Sequence, residues 1–209
     1  MKAHTRQTQA AITPLDAIEI LKEGNRRFVK NQLADRDLLD QVADTATGQY
    51  PFATILSCID SRVSAELIFD QGVGDIFSVR VAGNIVNEDL LGSMEFACKL
   101  AGTKLIVVLG HTSCGAVKGA CDGAQLGNLT VLLEKIKPAV SAIKEPADPS
   151  MRNSKNTTFV DQVAEKNVAL TIKNIRLMSP VLEEMEDAGE IKIIGGMYDI
   201  HNGKVRFFD

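Results

Sequence analysis

The chain has 209 residues, 45% of them hydrophobic, enough to bury one sizeable core, so a single domain over 1–209 is expected. Its formal net charge of −4 leaves no basic footprint for nucleic acid, and no block of like charges suggests attraction to an anionic membrane. The longest apolar runs are strand-sized, well short of a membrane span. The first 13 residues are polar and lack the apolar core of a secretory signal. That points to the cytoplasm, or to the periplasm for a chain whose signal has been removed. Four cysteines in a reducing compartment more often bind metal or stay buried than cross-link.

Residues 1–13 read as a mobile lead-in. Thr13-Pro14 is a helix cap and first-turn pair, and Leu15, Ile18, Leu21, Asn25 and Phe28 form one stripe, so 14–31 is expected to be a helical arm. Asn31 to Gln49 is polar and loop-like, with a short helical stretch around Leu38–Val42. Apolar runs predict strands at 52–58, 76–82, 104–110 and 191–194, and Asn202-Gly203 marks a hairpin turn into Lys204–Phe208. Helices are expected near 65–69, from Asn87 to about 101, from 113 to Gly123, over 129–143, over 158–178, and again from Ser179-Pro180 to Gly189. This alternation predicts an α/β fold: a mostly parallel sheet of about four strands plus an antiparallel edge strand, flanked by helices.

Two of those strands end in chemistry. The first runs into Ser57-Cys58-Ile59-Asp60-Ser61-Arg62, and the third into His111-Thr-Ser-Cys114-Gly115. If both are parallel members of one sheet, their carboxyl ends share the edge where open α/β sheets hold ligands. Two thiolates and an imidazole make a soft tetrahedral environment suited to zinc. Taken singly, a buried cysteine is usually a small hydrophobe and a lone histidine an ordinary hydrogen-bonded residue. Cys121 lies two helical turns beyond Cys114, about 10 Å along the axis, too far to share an ion whose sulfurs sit at most about 4.6 Å apart. Cys98 reads as core, and neither His4 nor His201 is a natural fourth ligand. Asp60 or water is left, and an exchangeable position marks a catalytic rather than a structural site. Arg62 can hold Asp60 as a carboxylate away from the metal, so that water takes the open position and Asp60 orients it. Zinc lowers the pKa of such a water from 15.7 to about 7, giving a hydroxide at neutral pH. A released Asp60 could instead become the fourth ligand and close the site.

Cys58-x-Asp60-x-Arg62 followed at long range by His111-x-x-Cys114 resembles the β-class carbonic anhydrases, over most of the chain. The resemblance implies reversible hydration of carbon dioxide to bicarbonate and a proton, with one Zn2+ per subunit on Cys58, His111 and Cys114 and a gatekeeping dyad of Asp60 and Arg62. Similarity to the plant-like branch implies substrate contacts from Gln49, the Phe77 side chain and the Gly115 backbone N–H, and matches a family asparagine at Asn84 without giving it a role. It also implies a homodimer or homotetramer with the cleft between subunits. The chain departs from the family at Phe96, where tyrosine is common. It also has Ile55 where the branch inhibited by bicarbonate has tryptophan, although Arg80 and Tyr198 match. No strong bicarbonate-locked state is therefore expected. Rival readings are hydrolysis of carbon disulfide or carbonyl sulfide on the same scaffold, and a non-catalytic zinc-stabilised module. A thiol-redox protein is disfavoured because no Cys-x-x-Cys is present.

Overall fold

A computed structural model describes residues 2–208. Five strands, β1 (Ala53–Ser57), β2 (Ile76–Arg80), β3 (Leu105–His111), β4 (Lys192–Tyr198) and β5 (Val205–Phe208), form one sheet in the order β2-β1-β3-β4-β5. The first four are parallel and β5 runs antiparallel to β4, the arrangement expected from the sequence. The helices are α1 (Arg6–Ala11), α2 (Pro14–Val29), α3 (Leu38–Thr45), α4 (Ala65–Ile68), α5 (Glu88–Glu95), α6 (Gly115–Cys121), α7 (Gly127–Glu134), α8 (Lys137–Ala142), α9 (Thr157–Met178) and α10 (Pro180–Asp187).

Every residue of β1 and β3 is buried, because helices cover both faces of the sheet. Ile106 and Val108 face a core built with Met94, Val117, Ile136, Phe159, Val163 and Leu182, from the α5–α10 side. Leu105, Val107 and Leu109 point the other way, into a core with Ala17 and Leu21 of α2 and with Ile68 and Phe69 at the end of α4. Alternate side chains of one strand thus supply two cores, which is why these runs read as continuously apolar.

The helical arm packs on its own chain. Thr13 and Asp16 form a reciprocal capping box at the start of α2. Gly24 presses on the end of α4 so closely that an added Cβ would lie 1.8 Å from the Phe69 carbonyl oxygen. Asn25 is buried: its Nδ2 donates to the Ile68 and Gly203 carbonyls at 3.1 and 2.9 Å, and its Oδ1 accepts the Val205 N–H at 2.9 Å. One amide therefore ties the arm to both the end of α4 and the start of β5.

Four expectations change. The lead-in contains α1, capped reciprocally by Thr5 and Thr8, and Gln9 Nε2 donates to the Pro51 and Ala101 carbonyls at 2.6 and 2.8 Å. The helix expected over 87–101 is α5 followed by a π-helical turn, Phe96–Leu100, and that expected over 129–143 divides into α7 and α8. Pro138, within the first turn of α8, has no N–H to carry the ladder across that division. Finally, β4 extends through Gly195-Gly196 to Tyr198, four residues beyond the apolar run. The glycines do not break it because the Phe208 ring lies against Gly195, where a Cβ would come within 2.5 Å.

Candidate metal centre

The order β2-β1-β3 makes the chain leave β1 toward one side and β3 toward the other, so a crevice opens beyond the carboxyl ends of these two strands. Ser57 is paired with Leu109, which sets Cys58 level with Gly110 and next to His111. After His111 the chain turns sharply: Ser113 adopts φ +56°, the left-handed region, and Cys114 caps the start of α6. That turn sends His111 and Cys114 back toward Cys58.

The three ligand atoms lie within 4.8 Å of one another, and all three residues are buried. The Cys58 and Cys114 sulfurs are 3.9 Å apart. Two sulfurs at 2.3 Å on one tetrahedral ion would be about 3.8 Å apart, so the pair fits zinc without rearrangement. His111 Nδ1 lies 3.0 Å from the Thr112 carbonyl, which can only accept, so the ring proton belongs on Nδ1 and Nε2 presents a lone pair. That Nε2 is fully buried and has no hydrogen-bond partner. An unsatisfied buried acceptor costs about 1–3 kcal/mol, and a metal is the partner that the flanking sulfurs would share.

The thiols polarise each other. The Cys58 thiol is lowered, chiefly by the hydrogen bond from Cys114 against the opposing effect of burial, with further help from the Gly83 N–H, 3.4 Å from its sulfur. The same bond, together with burial, pushes the Cys114 thiol up.

Asp60 stands beside this cluster, its Oδ2 4.0 Å from His111 Nε2. Arg62 grips it: Nε and Nη2 donate to Oδ1 and Oδ2 at 2.9 and 2.7 Å, and the Arg62 backbone N–H donates to Oδ1 at 3.0 Å. The Arg62 hydrogen bonds hold the Asp60 carboxyl well below the usual carboxylate range. Arg80 donates to the Cys58 and Asp60 carbonyls at 3.1 and 2.7 Å, fixing the backbone that carries both side chains.

The other thiols are elsewhere. Burial pushes Cys98 up to about 11 within the core, beside Thr103 Oγ1, and does the same to Cys121. Among the described residues, Cys58, His111 and Cys114 are the one such group that could hold a metal. Gly115 opens α6 at an exposed position, with its N–H in the first turn, where no intrahelical acceptor exists. Gln49 and Phe77 are not brought to the cluster within one chain. Phe77 pairs with Thr54, three residues before the Arg80–Ser57 pair and so about 10 Å back along the strands. Gln49 is exposed in the loop entering β1, at the end opposite Cys58. Phe77 instead meets Phe96 edge-on, ring centroids 6.3 Å apart, over a surface groove of about 720 Å³ also lined by Val79 and Gly92. Neither the Gly83 N–H nor the Thr112 carbonyl is legible as a site group in the sequence. Their signal was faint: a Gly-Asn pair after β2, and a backbone atom whose use depends on the turn.

The family model described as "Carbonic anhydrase" matches residues 53–205. The chain is 36% identical over 197 residues to "Carbonic anhydrase 2" of Mycobacterium tuberculosis, covering 91% of each. The chain belongs to the β-class carbonic anhydrases. Solved β-carbonic anhydrases share its fold. CafA of Aspergillus fumigatus superposes with a TM-score of 0.70 at 28% identity, covering 92% of this chain and 89% of that one. Tetrameric β-carbonic anhydrases from Sordaria macrospora give 0.68 at 26% identity, covering 79% and 84%. Within this β-carbonic anhydrase, the segment 53–205 carries Cys58, Asp60, Arg62, His111 and Cys114.

Proposed function

We propose that this β-carbonic anhydrase hydrates carbon dioxide reversibly to bicarbonate and a proton, with one zinc ion per subunit held by Cys58 Sγ, His111 Nε2 and Cys114 Sγ. The observation that carries the reading is the unpartnered, buried Nε2 of His111 beside two sulfurs 3.9 Å apart. Zinc bound there supplies a Lewis acid that brings a coordinated water to a pKa near 7. The chain's own residues do the rest. Asp60, kept ionised by Arg62, accepts a hydrogen bond from the attacking water and orients its lone pair toward carbon dioxide. The Gly115 N–H faces the oxygen on which negative charge develops. Thr112 fixes the His111 tautomer through its carbonyl.

Gln49 and Phe77 fit a homo-oligomer in which each chain completes the cleft of another. The open edge of β2, the groove under Phe77 and the exposed side chains of Phe96 and Leu100 support that arrangement. Among the described residues no helix is long and apolar enough to cross a membrane. The deciding experiment is metal analysis of the purified protein together with stopped-flow carbon dioxide hydration across pH, with carbonyl sulfide and carbon disulfide as competing substrates. One zinc per chain and dominant turnover of carbon dioxide are expected; metal-free protein without gas turnover would end the reading. Mixing Cys58→Ser chains with Phe77→Ala chains tests the shared cleft: activity should recover in the mixed oligomer, and no recovery means that Phe77 serves its own chain.

A further inference from the structure

Helix α9 contributes no ligand, yet two of its polar side chains reach the turn that carries His111 and Cys114 and the turn whose N–H meets Cys58. Asp161 Oδ1 accepts the backbone N–H of Ser113 at 2.8 Å, midway between His111 and Cys114. Ser113 is the non-glycine residue held at φ +56°, a conformation that needs outside support to persist. Asn167, six residues along α9 and buried, donates from Nδ2 to the Gly83 carbonyl at 2.8 Å. Gly83, itself at φ +71°, directs its N–H at Cys58 Sγ. The β4–β5 hairpin adds a lighter contact, the Ile200 N–H to Thr112 Oγ1 at 3.1 Å.

We propose that Asp161 and Asn167 are positioning residues of the metal centre, α9 serving as a polar strut that locks the Ser113 and Gly83 turns so that Cys58, His111 and Cys114 are pre-arranged for one ion. The inference rests on the zinc reading of that ligand set. Asp161 acts as a hydrogen-bond acceptor, so an amide can replace it: Asp161→Asn keeps an oxygen for the Ser113 N–H, whereas Asp161→Ala leaves the left-handed turn without its anchor. Asn167 acts on the other sulfur by holding the carbonyl of Gly83, the residue whose N–H meets Cys58 Sγ. Because α9 packs directly on β3 and β4, the strut is anchored in the buried core.

The test is zinc transfer from the full-length protein to a chromophoric chelator, paired with the visible spectrum of the cobalt-substituted protein and thermal denaturation with and without zinc. Partners that orient metal ligands typically contribute 10–100-fold to affinity. Asp161→Ala should lose zinc about 10–100-fold faster than the wild type and show an altered cobalt spectrum, while Asp161→Asn stays within about threefold. Asn167→Ala should also release zinc faster. If Asn167→Ala fails to accumulate, the Asp161 pair still decides the question. The proposal is overturned if Asp161→Ala releases zinc at the wild-type rate with an unchanged cobalt spectrum, or if its melting temperature falls equally with and without zinc. It is also overturned if Asp161→Asn is as impaired as the alanine variant. A wild-type chain that takes up no zinc would instead bring down the metal reading beneath it.

Discussion

Replacing Arg62 by alanine asks how strongly the Asp60 carboxylate is restrained. Asp60 accepts three hydrogen bonds from one residue, and the substitution removes the two from the guanidinium while leaving the backbone N–H. Bidentate geometry argues for a strong pair. The Arg62 side chain, however, is 52% exposed, so water screens it and the pair restrains Asp60 far less than a buried one would. Losing an exposed pair of this kind shifts the balance between held and released carboxylate by about fivefold at most. With Oδ2 already 4.0 Å from His111 Nε2, a released Asp60 has only a short way to swing before it competes for the position that water needs. Stopped-flow hydration should therefore show kcat/KM lowered by a small factor, about fivefold, with zinc content unchanged and partial recovery in Arg62→Lys. A loss beyond a hundredfold would mean that the guanidinium itself touches the reacting atoms, and wild-type kinetics would mean that it restrains nothing.

Further substitutions probe the rest of the molecule. Asp60→Asn should keep its zinc and lose most turnover, read by metal analysis and the same assay. Cys58→Ser should lose zinc and activity together, whereas Cys121→Ser should retain both, since that sulfur lies outside the cluster. Asp70 is buried at φ +47° and accepts from Arg27, Arg36 and the Ala34 N–H. Asp70→Ala removes the carboxylate that neutralises the largely buried Arg36 and should cost about 3–5 kcal/mol, a fall in melting temperature on the order of 10 °C. Burial raises the Asp70 pKa but its hydrogen bonds outweigh that, so the folded value lies below 3.8. Its stabilisation is then present at neutral pH and is lost as pH falls through the folded value, so wild type and variant should converge in acid. Gly24→Ala, whose Cβ would meet the Phe69 carbonyl, should cost about 3 kcal/mol in urea unfolding; a neutral result would show that α2 can shift freely on α4.

The parts of the fold readable from sequence are those where one local signal decides. β1 and β3 are apolar throughout because both faces are covered, and Thr13-Pro14 and Ser179-Pro180 start helices by cap chemistry alone. Misreadings came where a distant residue overrode a local cue. Gly195-Gly196 looks like a break until Phe208 folds over it, and α1 looks unanchored until Gln9 reaches carbonyls of two far segments. The candidate ligands Cys58, His111 and Cys114 are legible because each closely follows or ends a strand, where chain direction fixes what a side chain can face. Gln49 and Phe77 stand out only through the family resemblance, and no pattern within one chain says whose cleft they serve. Ser113 gave no sign that it would adopt a left-handed turn, so the contribution of Asp161 from α9 could not be seen before the fold was known.

Cys58 and His111 are neighbours only because β1 and β3 lie side by side; along the chain, about fifty residues separate them. A growing polypeptide therefore cannot assemble the complete binding pocket while only its first half has emerged. Capture of a zinc ion at this site would then be a late event in biogenesis, and its onset would time-stamp the moment at which these two strands find each other.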